Sequence, residues 1–177
     1  MRAWGDRWYV FGAQACVAYG VARLTADVDV TAAVPETDLP RFVRAMEEAG
    51  FAPRVPDPAA FAREARVLPF THAPTGIPVD LVLLGTPLEE QILSRIRRLD
   101  LGGAAVPFIG PEDLVAVKIL AGRPKDLGDA QALLTRHAGS VDVAAVRALL
   151  AAFERALDRA DLVAELDRLL RGAGSPS

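Results

Sequence analysis

The sequence predicts an α+β fold, with a β-sheet flanked by helices in residues 1–109, a C-terminal helical lobe in residues 110–171 and a flexible tail in residues 172–177. Three observations predict it. Short runs rich in β-favouring residues recur as far as residue 109. Helical spacing of apolar residues separates those runs. From Pro111 onward the strand pattern disappears and only helical segments follow. At 177 residues the chain is long enough for one sizeable core with a small helical appendage.

Trp8-Tyr9-Val10-Phe11 reads as a short buried strand running into a turn at Gly12, with Trp4 and Trp8 as its anchors. Residues 14–22 are Ala-rich and predict a helix, with Cys16 a small core residue and Tyr19-Gly20 near the helix's close. Val28 and Val30 then alternate with Asp27, Asp29 and Thr31, the period of a strand with one apolar and one polar face. Thr37 or Asp38 caps the next helix, whose Leu39, Phe42, Val43 and Met46 follow helical spacing before Gly50. Residues 52–58 read as a loop broken by three prolines. Residues 66–72 and 77–84 predict an antiparallel hairpin joined by Ala73-Pro74-Thr75-Gly76. A helix over 87–96 and a last short strand over 105–109 complete the first part. Helices over 111–121, 124–137, 142–158 and 161–171 form the rest; the third carries Val146, Leu149, Leu150, Phe153 and Leu157 on one stripe.

Composition excludes several classes of function. A net charge of −3 gives the surface as a whole no electrostatic reason to bind nucleic acid or an anionic membrane, so an anionic substrate has to be held by local groups. The single cysteine excludes an intramolecular disulfide and a thiolate metal cluster. Residues 1–7 lack the apolar run of a signal peptide, and no stretch of membrane-spanning length follows, which predicts a soluble, cytoplasmic protein with no membrane partner. Of the 20 basic residues only Lys118 and Lys125 are lysines, and both fall in one short segment. A compact, strongly hydrated point charge is one physical reason to keep lysine at a phosphate. His72 and His137 have no ligand spacing and read as surface or packing residues.

Asp27 and Asp29, at i and i+2 on one strand face, stand roughly 6 to 7 Å apart and can converge on hard cations, magnesium being the natural guest. Asp80 lies among apolar neighbours in Ile77-Pro78-Val79-Asp80-Leu81-Val82. A lone aspartate there is paired with a nearby arginine, bound to metal, or at an exposed strand end, because burying it alone costs several kcal/mol. If the hairpin strand lies beside the first aspartates, the three carboxylates form one cluster, which makes sense chiefly around bound cations. Upstream, Phe11-Gly12-Ala13-Gln14 is a strand, a glycine turn and a helix start, a place where backbone N–H groups can meet a phosphate.

The glycine turn, the Arg23, Thr25, Asp27, Asp29 segment and the later Val-Asp-Leu strand resemble the polymerase-β-type nucleotidyltransferase superfamily. Pro111-Glu112-Asp113-Leu114, Lys118, Ala121-Gly122-Arg123-Pro124-Lys125-Asp126 and Asp129 resemble the second half of abortive-infection (AbiEii-like) nucleotidyltransferases, many of which are toxins of toxin–antitoxin pairs. The resemblance covers about residues 8–137. It implies a nucleotidyltransferase fold with a mixed sheet, and Mg2+ held by Asp27 and Asp29. Asp80 completes the metal site or takes the proton of the attacking hydroxyl. The Gly12 turn and Lys118 hold the nucleotide, with Gln14, Arg23, Thr25, Arg123 and Asp126 around it; Asp126 and Asp129 share a helix face, and one of them orients Lys118 or acts as a further acid. Where the superfamily has Gly-Gly or Gly-Ser at the turn, Ala13 and Gln14 follow Gly12 here, and the Gln14 amide offers a donor in place of the serine hydroxyl. The activity implied is transfer of a nucleoside monophosphate from an NTP to a hydroxyl on a tRNA 3′ end or a protein, by a chain paired with an antitoxin protein. The alternatives are a catalytically inactive binding or regulatory protein on the same fold, and a small-molecule acceptor.

Overall fold

The computed structural model describes residues 5–173. Trp4 and residues 174–177 of the predicted tail lie outside them.

Among the described residues seven strands form one mixed sheet, in the order β3-β4-β5-β2-β1-β7-β6. They are β1 (Trp8–Phe11), β2 (Val28–Ala32), β3 (Phe51–Pro53), β4 (Val67–His72), β5 (Ile77–Leu83), β6 (Arg97–Leu101) and β7 (Ala104–Phe108). The β2/β5 and β1/β7 pairs are parallel and the others antiparallel. The helices are α1 (Gly12–Ala18), α2 (Leu39–Glu48), α3 (Pro58–Ala65), α4 (Pro87–Ser94), α5 (Pro111–Ala121), α6 (Pro124–Arg136), α7 (Val143–Leu157) and α8 (Leu162–Ala173).

The chain divides into two compact units, one containing the described residues up to Gln14 with Leu24–Ile109, the other Ala15–Arg23 with the chain from Gly110 onward. The first holds the sheet. Side chains on successive strand residues point to opposite faces, and register sorts them. Val30 pairs with Leu81, and Leu81 with Leu68, so these and their period-2 neighbours Ala32, Leu83, Val79 and Phe70 build one apolar face. α2 buries Leu39, Phe42, Val43 and Met46, the stripe predicted from their spacing. Its entry differs from the expected cap: a 3-10 turn over Glu36–Asp38 leads into it, and the Asp38 side chain makes no capping bond.

The second unit is built on α5, which buries residues around nearly its whole girth, among them Leu114, Val115, Ala116 and Ile119. Such a helix belongs at the centre of a bundle. Around it, α7 buries Val146, Leu150 and Phe153, while Leu162, Leu166 and Leu169 of α8 are likewise covered. The helices predicted from 111 to 171 are all present, and α8 runs two residues past the predicted end.

Several local expectations need correction. The helix expected over 14–22 is Gly12–Ala18, because Gly20 takes a left-handed φ of 80° and the amide of Val21 turns back to Cys16 O at 2.9 Å. Residues 52–58 are not all loop: Phe51–Pro53 is a strand too short to show a period, and α3 begins at Pro58 after an Asp57 side chain that accepts from Ala60 N at 2.9 Å. The helix over 87–96 ends at Ser94, since β6 follows from Arg97 and pairs with β7 around Gly102-Gly103. Thr31, expected on a polar face, is only 3% exposed.

Candidate active site

Asp29 on β2 stands directly opposite Asp80 on β5. Phe11 faces Asp29 from β1, and Pro69 faces Asp80 from β4. Paired residues project to the same side of a sheet, so Phe11, Asp29, Asp80 and Pro69 make one row on the face opposite the apolar one. Adjacent strands lie about 4.8 Å apart, which brings the two carboxylates side by side. Asp27, just before β2, is exposed, and its Oδ1 accepts from Thr25 Oγ1 at 2.7 Å.

Like charges opposite one another in a sheet repel. On Asp80 a cation answers: the Arg54 guanidinium donates from Nη2 to Asp80 Oδ1, forming an ion pair that is about one third exposed on each side (39% and 36%). Nothing local in the sequence distinguishes Arg54 from the other arginines.

Gly12 opens α1 with a φ of +67°, and a Cβ built on it would overlap the Asp29 carboxylate. The missing side chain therefore admits that carboxylate against the turn, a left-handed position that only glycine takes without strain. Ala13, where the superfamily places glycine or serine, is buried at 8% exposure, and Gln14 is half-buried.

Carboxylate oxygens in this arrangement suit a hard divalent cation. Asp29 and Asp80 offer such donors in register, and a cation between them would relieve their repulsion. Among the described residues no three His, Cys, Asp or Glu side chains are grouped as a metal site; Asp80 is engaged with Arg54 and Asp27 with Thr25.

The remaining predicted site residues belong to the second unit and bind one another. Lys118 is 6% exposed, and its Nζ donates to Asp126 Oδ1 at 2.9 Å and Asp129 Oδ2 at 2.7 Å. Arg23 bonds Asp129 and Arg123 bonds Asp126. Burial works against the Lys118 charge, but the bonds to Asp129 and Asp126 outweigh it and hold the ammonium above its ordinary range. Burial likewise opposes the Asp126 carboxylate, and the bonds from Arg123 and Lys118 outweigh it and hold that group below its usual value. Burial, tempered by Lys118, pushes the Cys16 thiol up to about 11, so it stays protonated and inert at neutral pH. His137 packs edge-on against Tyr19, its Nε2 lying 2.8 Å from Tyr19 O, a packing role as expected.

A cleft of about 510 Å³ lies at the other ends of the strands, lined by Val34, Arg41, Leu84 and the Arg7–Glu90 pair among others, and none of the carboxylate row reaches it. Among the described residues no helix is long and apolar enough to cross a membrane.

No curated protein matches this chain in sequence. In fold it resembles the antibiotic-resistance factor ANT(2'')-Ia at 13% identity and a TM-score of 0.59, over 86% of this chain and 84% of that one. Weaker likenesses are an antigenic nucleotidyltransferase-like protein from Paracoccidioides brasiliensis (19% identity, TM-score 0.49, 90% and 84% covered) and a lincomycin-bound lincosamide antibiotic adenylyltransferase (12%, 0.48, 71% and 84%). The family described as nucleotidyl transferase AbiEii toxin, type IV TA system, matches residues 2–173, so the chain belongs to that family and is a nucleotidyltransferase.

Proposed function

We propose that this nucleotidyltransferase moves a nucleoside monophosphate from an NTP to a hydroxyl acceptor, on a tRNA 3′ end or a protein, at the carboxylates of Asp27, Asp29 and Asp80. It does so in the cytoplasm, as the toxin held in check by an antitoxin protein. The observation that carries the reading is the register of Asp29 against Asp80 across two parallel strands in a chain of this family.

Asp27 and Asp29 hold Mg2+, and Asp80 completes the site or accepts the proton of the attacking hydroxyl. A Mg2+ ion held by these carboxylates would supply positive charge for the attacking hydroxyl and the leaving pyrophosphate. The Gly12 turn holds the Asp29 carboxylate in place by giving it room. Gln14 offers a side-chain donor to the triphosphate, and Thr25, whose single hydroxyl proton goes to Asp27, holds that carboxylate beside it. Lys118, Arg23, Arg123 and Asp126 serve the nucleotide at one remove, since each already has a partner within its own unit.

The test is label transfer from an α-labelled NTP, with nuclease and protease treatment of the product to separate an RNA from a protein acceptor. Asp29→Ala abolishes labelling while circular dichroism stays that of the wild type. Unchanged labelling by that variant would sink the assignment.

A further inference from the structure

Arg54 sits immediately after β3, two strands away from Asp80. Pro53 pairs with Phe70, and the Arg54 amide donates to Pro69 O at 2.9 Å, which sets Arg54 level with Pro69. Pro69 in turn pairs with Asp80, and Asp80 with Asp29. Arg54 thus extends the row that holds both carboxylates. The span from Arg54 to Asp80 is two strand spacings, about 10 Å, which an outstretched arginine and an aspartate cover together. Pro69 between them has no side chain long enough to intercept the guanidinium.

We propose that Arg54 is a positioning residue that serves as the row's own cation, neutralising Asp80 until a divalent ion takes that carboxylate and displaces it. The inference rests on the reading of Asp29 and Asp80 as metal ligands. One feature favours a replaceable pair. Both partners are about one third exposed, at 39% and 36%, so water screens the attraction and Asp80 can exchange one cation for another. While it stays on Asp80, Arg54 repels an incoming metal ion and lowers its affinity.

The experiment is a calorimetric titration of Mn2+ into chelator-treated wild type, Arg54→Met, Arg54→Lys and Asp29→Asn, with thermal unfolding of each in chelator and at saturating Mn2+. A unit charge within about 4–6 Å shifts a carboxylate's affinity for a proton by roughly tenfold or more, and the same order is expected for a metal ion. Arg54→Met therefore binds Mn2+ about tenfold more tightly, Arg54→Lys stays near the wild type, and Asp29→Asn loses binding. In chelator Arg54→Met melts below the wild type, and saturating Mn2+ closes the gap. If Asp29→Asn loses binding but Arg54→Met binds no more tightly than wild type, the role of Arg54 is overturned and the metal site stands. A melting deficit that Mn2+ leaves open makes Arg54 merely structural and also overturns it. If Asp29→Asn binds Mn2+ like the wild type, the metal site falls and this inference falls with it.

Discussion

Two sets of acidic and basic residues carry opposite solutions to the same problem. In the second unit Asp126 and Asp129 are 1% and 6% exposed, and Lys118, Arg23 and Arg123 close around them. In the first unit Asp29 and Asp80 stand side by side, and Asp80 pairs with Arg54 in an ion pair that is partly exposed on both sides. In the buried set each aspartate bonds two cations, although the Arg23 Nε is buried without a hydrogen-bond partner, and removing Lys118 strands both carboxylates in a poorly solvating interior. In the sheet set the Arg54–Asp80 pair is open to solvent, and Asp80 can change partners. Charge alone does not mark a functional group; charge left with room for a foreign partner does.

The strongest way to break this contrast is Lys118→Met. It leaves Asp126 and Asp129 without their shared ammonium, and urea unfolding should show a loss of about 3 to 5 kcal/mol. A loss under about 1 kcal/mol would place the buried set in the same replaceable class as the sheet set. Next in size is Gly12→Ala, which imposes a left-handed φ on alanine and drives its methyl into the Asp29 carboxylate. The expected cost is about 1 to 3 kcal/mol in the same assay, with label transfer lost as Asp29 is pushed aside. The smallest effect is one of pH. The folded Asp126 carboxyl titrates below its ordinary value of 3.8, so its stabilisation is present above 3.8 and is lost as pH falls through the lower folded value. Lys118, held above its ordinary 10.5, contributes below that pH and stops doing so only as pH rises through its folded value. The stability gap between wild type and Lys118→Met should therefore narrow on acidification, by roughly 1 kcal/mol per pH unit. A gap that holds constant to pH 3 would show that Asp126 does not depend on Lys118.

The limits of the sequence reading follow the same contrast. Alternation in residues 27–31 and the apolar run around Asp80 mark both strands, because period-2 patterns are local. That the two strands lie side by side, with Asp29 level with Asp80, is a pairing between distant segments, and it was expected only through the family resemblance. An arginine partner for Asp80 was one of the alternatives, but nothing nearby singles out Arg54 among 18 arginines. Lys118 stands out as one of two lysines, a rarity that points to phosphate, while the shared face of Asp126 and Asp129 points to a carboxylate that orients it. Spacing shows which residues share a helix face, not whether that face meets solvent or a buried pair of aspartates. The helices after residue 110 are legible because they are long and carry apolar residues at helical spacing, whereas β3 has three residues and β6 reads Arg-Arg-Leu-Asp-Leu, with no clear apolar face.

Those two inconspicuous strands are the outermost members of the sheet, where unpaired backbone groups invite a second chain to add on. One edge ends at Pro53, beside a proline-broken segment that offers few amide hydrogens to a newcomer. The other carries exposed Arg97, Arg98 and Asp100, with Arg98 paired to Asp6, so a second chain adding there would have to take charged groups out of water. Sheet growth from molecule to molecule is thereby discouraged at both ends, and a concentrated preparation of this protein has a built-in resistance to fibrous aggregation.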